Sequence, residues 1–447
     1  MTELEARQAA VNQQRLWVRL TRACNNHCIF CHDVCSHDGS TVPETEVIQR
    51  LRLGREQGAT RAILSGGEPT IHPSFLNLVK AATDMGYSWV QCVSNGRMFA
   101  YEKFTARAMS NGLREATLSM HGHTPELFES LVGIPGSFQQ SLAGLKNLLH
   151  MGAVVSVDVV LNRKNLPFLR EILCFYIDIG VREFDLLHLV PFGRGFDEHR
   201  DELFASPDLL ARELARALSV QEEVPGLFLW TNRLPIELLE GNEKLFQDPH
   251  KIYDEVMGER QIFKDLFAKG TQPDCLGDRC PYCFLKPFCD AARLYAAGGW
   301  DGPAENPCGV ADAAFCAAAR HWTDAELRAR EANGLRIPMH EDFRKALAAT
   351  PKLVDLDAMR ARLVSPIDGL PPCMGGPIGC PRFPAPEAGV LGLDGRPDLA
   401  AFVSFFIRRL YRVKSLRCRS CRHDGSCPGL HVNLARIWGI GSLTPET

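Results

Sequence analysis

Long apolar runs are missing from this chain of 447 residues, and none reaches the ~18–20 residues of a membrane-spanning helix. A secretory signal is missing as well, because residues 1–14 are polar and acidic-to-neutral instead of basic followed by apolar. Charge of one sign is not in excess. The 50 Lys and Arg against 53 Asp and Glu leave a formal net charge of −3, which gives no electrostatic reason to expect nucleic acid or an anionic membrane as partner. No low-complexity tract interrupts a globular composition of 45% hydrophobic and 23% charged residues. At this length two or three domains are expected, and a cytoplasmic, reducing location is the default.

Cysteine is nearly absent from the middle of the chain, where only Cys92 and Cys174 fall between Cys35 and Cys275. Yet the chain has 17 cysteines: four lie between Cys24 and Cys35 and eleven between Cys275 and Cys427. Where thiols stay reduced, clustered cysteines point to metal and not to disulfides. The two isolated ones read as small buried apolar residues.

Between residues 16 and 195, β-rich runs at 16–22, 60–65, 88–93, 116–120, 154–161 and 184–190 alternate with helical patterns at 44–57, 73–85, 102–110, 137–151 and 166–179. Six strands alternating with helices imply an α/β fold with a parallel sheet, whose chemistry gathers at the carboxyl ends of the strands. Each strand is followed by a polar or glycine-rich cluster, among them Thr21-Arg22-Ala23-Cys24, Ser65 to Thr70, Ser94-Asn95-Gly96-Arg97, His121-Gly122-His123, Asn162 to Asn165 and Pro191 to Gly195. One such cluster is a turn. Six in succession describe a rim of functional loops.

Cys24, Cys28 and Cys31 leave the first strand with C-x3-C-x2-C spacing. Three thiolates serve one cluster and leave a coordination position open, whereas four protein ligands usually close a structural site. Two other readings fit the same residues. Cys28-Ile29-Phe30-Cys31-His32 matches the haem-attachment pattern C-x-x-C-H, and a structural zinc site with His32 or Cys35 as fourth ligand is chemically reasonable. The haem reading needs export to an oxidising compartment, for which no signal peptide is present, and the zinc reading leaves the loops after the other strands unexplained. His121 and His123 are candidates for a substrate acid or base, or for hydrogen-bonding wall residues.

With Gly66-Gly67-Glu68-Pro69 after the second strand, and Ser94-Asn95-Gly96 and Ser119-Met120-His121-Gly122 in order behind it, residues 15–195 resemble the core of the radical S-adenosylmethionine (radical SAM) superfamily. The resemblance implies a partial (β/α)6 barrel of TIM type. It implies a 4Fe–4S cluster on Cys24, Cys28 and Cys31, and cleavage of S-adenosylmethionine to a 5′-deoxyadenosyl radical that abstracts hydrogen from a substrate. Gly66, Gly67, Glu68 and Pro69 would meet the methionyl end, with Glu68 accepting from its amino group. Ser94, Asn95 and Ser119 would meet the ribose or carboxylate, and Asn162 and Val190 the adenine side, with Phe30 packed at the cluster. A flavodoxin- or ferredoxin-type electron donor is implied as partner.

Residues 196–270 read as a helical connector, and 271–447 as a cysteine-rich, metal-stapled α+β domain with too little apolar surface for a core of its own. Helical patterns there lie near 323–332, 340–349 and 398–413. Cys280, Cys283 and Cys289 share the spacing C-x2-C-x5-C with Cys418, Cys421 and Cys427; Cys275 precedes the first triplet, and Cys373 and Cys380 lie upstream of the second. Each triplet is expected to bind metal with a distant ligand completing it. The second resembles the SPASM/Twitch class of radical SAM extensions, which implies one or two auxiliary 4Fe–4S clusters; the first is equally at home around zinc. That class often has a further cysteine where this chain has His431, so His431, a remote cysteine or an open iron remains. The expected substrate is a peptide or a small molecule. The early start of the barrel leaves no room for an N-terminal leader-binding module, and the opposing alternative is a non-catalytic iron–sulfur or zinc scaffold.

Overall fold

The computed structural model describes residues 15–33, 38–300, 323–331, 335–378, 383–387 and 389–447. Cys35, Cys308, Cys316 and Cys380 lie outside them. The chain divides into two compact units. The first runs to Ser206 and takes back Arg216–Asn232; the second comprises Pro207–Ala215 and Arg233–Thr447.

In the first unit, seven strands form one parallel sheet in sequence order: β1 (Arg15–Thr21), β2 (Arg61–Gly66), β3 (Trp89–Ser94), β4 (Leu113–Ser119), β5 (Val154–Leu161), β6 (Glu183–His188) and β7 (Phe228–Asn232). Right-handed crossovers that always advance to the next strand put every helix on one face, so the sheet must curl around its other face. The alternation of side chains records this. Val18, Leu20, Ala62, Leu64, Ala116, Leu118, Val157, Val159, Phe184 and Leu186 are at most 1% exposed beneath the helices. The opposite face carries Gln91, Glu115, Thr117, Ser156, Asp158 and Asp185, a polar lumen in a partial barrel.

The expected strands are present within a few residues. The seventh, β7, lies inside the stretch expected to be a helical connector, which is therefore corrected. Five residues, Phe-Leu-Trp-Thr-Asn, make too short a period-two signal to stand out between helices. Among the described residues, no helix is long and apolar enough to cross a membrane.

The second unit has a core of its own, contrary to expectation. Phe288, on helix Lys286–Ala296, meets Phe263, Phe402 and Phe406 with ring centroids 5.1, 5.7 and 5.2 Å apart, and Tyr295 packs on Phe402 at 5.2 Å. Aromatic rings bury much surface per residue, so a few supply what long aliphatic periodicity would. Two small sheets complete it: Leu335–Arg336 parallel to Ile367–Asp368, and Arg412–Val413 antiparallel to Leu430–His431. The helix expected over 398–413 is Leu399–Phe405 continued by a wider-pitched turn at Phe406–Leu410.

Candidate active site and cysteine clusters

The cysteine loop after β1 is held from several sides. Gly67 N–H donates to Thr21 O and Glu68 N–H to Ala23 O, both at 2.8 Å, which ties the β2 exit to the residue before Cys24. Contact this close needs glycine: a Cβ on Gly67 would stand 2.2 Å from Ala23 O, and one on Gly66, at φ +141°, 2.4 Å from Thr21 O. The close approach expected toward a cofactor is thus made, in the first instance, toward the cysteine strand. From the other side, His27 and Ile29 N–H donate to Val132 and Leu131 O, and Arg194 N–H donates to Cys31 O at 3.1 Å. A Cβ on Gly193 would come within 2.6 Å of that carbonyl.

Glu68 is 1% exposed and joins the second and third strand ends. Its Oε1 accepts from Thr70 N–H at 3.0 Å and Ser94 Oγ at 2.8 Å, with Thr70 Oγ1 also in contact, and its Oε2 accepts from Asn95 N–H at 2.7 Å. Burial pushes this carboxyl up, and the same four donors oppose the shift. Oε2 retains one acceptor site; Oε1 is saturated. Asn95 Nδ2 donates to Asn25 Oδ1 at 2.6 Å, and Arg97 Nη1 binds Asn25 O and, at 3.0 Å, Asn26 Oδ1. Arg97 clamps the cysteine loop and was missed from the sequence; its place directly after Ser94-Asn95-Gly96 was the available signal.

Other expected residues also have partners within the protein. Asn162 Oδ1 accepts from Lys164 and Asn165 N–H, and its Nδ2 donates to Val160 O, so this buried side chain shapes the turn after β5. His121 Nδ1 accepts from Val160 N–H at 3.2 Å, and its ring stands edge-on to Phe30 with centroids 4.5 Å apart. Burial holds the His121 pKa down at about 3, which favours the neutral ring in this packed position. Ser119 ends β4, and Val190 lies just beyond β6, where Phe192 N–H donates to its carbonyl.

The thiols fit a cationic centre. Burial raises the Cys24 pKa to about 11 and pushes Cys28 higher still, and the neighbouring thiols act on both in the same direction. A buried soft donor set whose charge is only partly offset, by Arg97 at Cys24 and Arg194 at Cys28, is what a positively charged iron centre stabilises. The tighter convergence that a single metal ion demands is not met by any group of three Cys, His, Asp or Glu among the described residues. A four-iron cluster is a larger body, and its ligands stand further apart than around one ion.

Both expected triplets in the second unit gain a fourth thiol. Burial raises the pKa of Cys275, Cys283 and Cys289, Cys289 most strongly, and the neighbouring Cys280 acts on all three in the same direction. Cys418, Cys421 and Cys427 line one cavity together with Cys373, beside Lys414 and His423. Cys373 sits on the turn Pro372–Met374, 45 residues before Cys418, a separation no local motif reveals. His431 is not among the residues that line this cavity. It is fully buried, its Nε2 pairs with Ile407 O at 3.0 Å, its Nδ1 accepts from Asn433 N–H, and burial holds its pKa near about 3.

Residues 18–169 match the Radical SAM superfamily. Over 229 residues the chain is 28% identical to a probable GTP 3′,8-cyclase of Sulfurisphaera tokodaii, covering 50% of this chain and 72% of the relative. A probable GTP 3′,8-cyclase of Saccharolobus solfataricus is 28% identical over 42% of this chain and 61% of its own length, so the chain spans less than two thirds of that relative. Among solved structures, Streptococcus suis SuiB bound to precursor peptide SuiA aligns with a TM-score of 0.44 and 16% identity over 55% of this chain and 54% of SuiB. The match to the Radical SAM superfamily model lies within the first unit of this chain, and Cys24, Cys28 and Cys31 fall inside it.

Proposed function

We propose that this chain is a radical SAM enzyme in which Cys24, Cys28 and Cys31 hold a 4Fe–4S cluster, with S-adenosylmethionine across the ends of β1 to β5. The observation that carries this reading is the convergence of two strand-end loops on the cysteine loop, the β2 exit through Gly67 and Glu68 and the β3 exit through Asn95 and Arg97. When bound, the cluster supplies one-electron reduction of S-adenosylmethionine to methionine and a 5′-deoxyadenosyl radical. The protein's own part is positional. Glu68 fixes Ser94 and Asn95, Arg97 fixes Asn25 and Asn26, and the Phe30–His121 pair seals the cysteine loop against the barrel wall.

The two cysteine quartets of the second unit, Cys275/280/283/289 and Cys373/418/421/427, are proposed as auxiliary 4Fe–4S sites, with zinc the alternative in the first. A flavodoxin- or ferredoxin-type protein would deliver the electron. The substrate is a peptide or a small molecule. A nucleoside triphosphate, which the relatives' name implies for them, finds little support in a lumen lined by Asp158 and Asp185.

Anaerobic reconstitution with iron and sulfide, followed by dithionite and S-adenosylmethionine, tests the reading. 5′-Deoxyadenosine is expected from the wild type and not from Cys24→Ala. No product from a fully reconstituted wild type would favour a non-catalytic scaffold, and iron and labile-sulfide analysis separates iron–sulfur from zinc.

A further inference from the structure

Strand register assembles a row across the barrel interior. Ser119 of β4, Asp158 of β5, Asp185 of β6 and Trp230 of β7 are successive Cα partners, so their side chains share one face. The residues flanking them along the strands, Leu118, Val157, Val159, Phe184 and Leu186, are buried under the helices, which turns the row into the lumen. One step toward the amino ends, the lumen is closed. Gln91 Nε2 donates to Thr117 Oγ1 at 2.7 Å, the Thr117 and Ser156 hydroxyls are 2.8 Å apart, Arg61 pairs with Glu115, and Trp89 Nε1 donates to Glu115 at 2.8 Å. The row is therefore the floor of the space that opens toward the catalytic strand ends.

That floor is rich in acceptors and poor in cations. The Asp158 carboxylate takes part in no hydrogen bond or ion pair with a described residue, although it lies deep in the barrel wall and touches the lumen. Burial pushes its carboxyl well above the usual range, and the charges acting on it, Asp185 and Glu115, push in the same direction; no basic side chain is among them. Glu115 has Arg61 as partner, whereas Asp158 has none among the described residues. Two residues beyond Trp230 on the same face, Asn232 keeps a buried Oδ1 without a hydrogen-bond partner among the described residues. An uncompensated carboxylate, a second one in register, an unused amide oxygen and an adjacent indole match a ligand that brings positive charge and several N–H donors.

We infer that Asp158 and Asp185 form a lumen subsite for a cationic nitrogen group of the substrate, an alkylammonium or a guanidinium, with Trp230 flanking it. The inference rests on the reading above, in which substrate is handled inside the barrel. Binding of the cation relieves the carboxylate repulsion, which is the source of the affinity.

Ligand-observed saturation-transfer NMR on the anaerobically reconstituted full chain with S-adenosylmethionine tests it, using n-butylammonium, n-butylguanidinium and the neutral control 1-butanol. Saturable transfer to at least one cation and not to butanol is expected, and the stronger of the two cations identifies the group. Asp158→Asn and Asp185→Asn should each weaken that binding about tenfold or more. Equal transfer to butanol and the cations, or cation binding unchanged in both variants, overturns the subsite. The latter outcome would mean that the cation is held elsewhere on the protein. Should neither variant fold, the wild-type contrast between cation and alcohol decides alone. 5′-Deoxyadenosine formation by the same wild-type sample separates the two proposals. Cation binding without that product sinks the radical reading and leaves the subsite standing; product without cation preference does the reverse.

Discussion

Replacing His121 by Asn should change how the stability of the first unit depends on pH. Asn Oδ1 occupies the place of the ring Nδ1, so the hydrogen bond from Val160 N–H can persist, while the titratable ring and its packing on Phe30 are lost. His121 is 2% exposed, and burial holds its folded pKa at about 3 against an unperturbed 6.5. For a base whose folded pKa is depressed, the unfolded chain binds the extra proton. Its stabilising contribution is therefore complete above pH 6.5 and declines as pH falls toward 3. The slope is about 1.4 kcal/mol per pH unit, so roughly 2 kcal/mol is lost between pH 6.5 and 5. At pH 7 the variant should be less stable by about 1–2 kcal/mol from the lost ring contact. By pH 5 that deficit should have closed or reversed. Urea unfolding of the anaerobically reconstituted protein across pH 5–7.5 measures this. His188, held down at about 4 by burial, contributes a slope of the same sign, and Glu68 and Asp158, whose carboxyls are pushed up, contribute the opposite sign. All three are common to both proteins and cancel in the difference. A gap between wild type and variant that stays constant over that range refutes the account of His121 as a buried neutral acceptor.

Gly67→Ala should cost about 1–3 kcal/mol or more and lower the iron bound at the first site, because its Cβ meets the Ala23 carbonyl at 2.2 Å; full iron loading and unchanged unfolding would disprove this. Glu68→Gln should cost about 2–3 kcal/mol, since the amide turns a donor toward either Asn95 N–H or the Thr70 and Ser94 donors, and S-adenosylmethionine affinity measured by equilibrium dialysis should fall with it. Cys373→Ser should remove the iron and labile sulfide of one auxiliary site and leave the others loaded. The same substitution at buried Cys92 should leave metal content unchanged, and equal metal in the Cys373 variant would exclude it as a ligand.

Much of the catalytic half was legible because its signals are local. Period-two apolar runs mark β1 to β6, and Cys24, Cys28 and Cys31 lie within eight residues of one another on a single strand exit. Gly66-Gly67-Glu68-Pro69 is likewise contiguous, though its physical reason differs from the expected one: the glycines and much of the Glu68 carboxylate serve the neighbouring strand ends. β7 was hidden because five residues carry too little period. The core of the second unit was hidden because Phe263, Phe288, Phe402 and Phe406 are scattered over more than a hundred residues.

By itself the sequence determined the order of strands and helices, the thiol triplets and the loops that follow each strand, since each depends on residues close together in the chain. Only the tertiary structure decided which remote groups meet. It turned His431 into the core and brought Cys373 to the second triplet, it set Arg97 on the cysteine loop, and it aligned Asp158 with Asp185. Register and long-range packing make those choices, and no local periodicity encodes them.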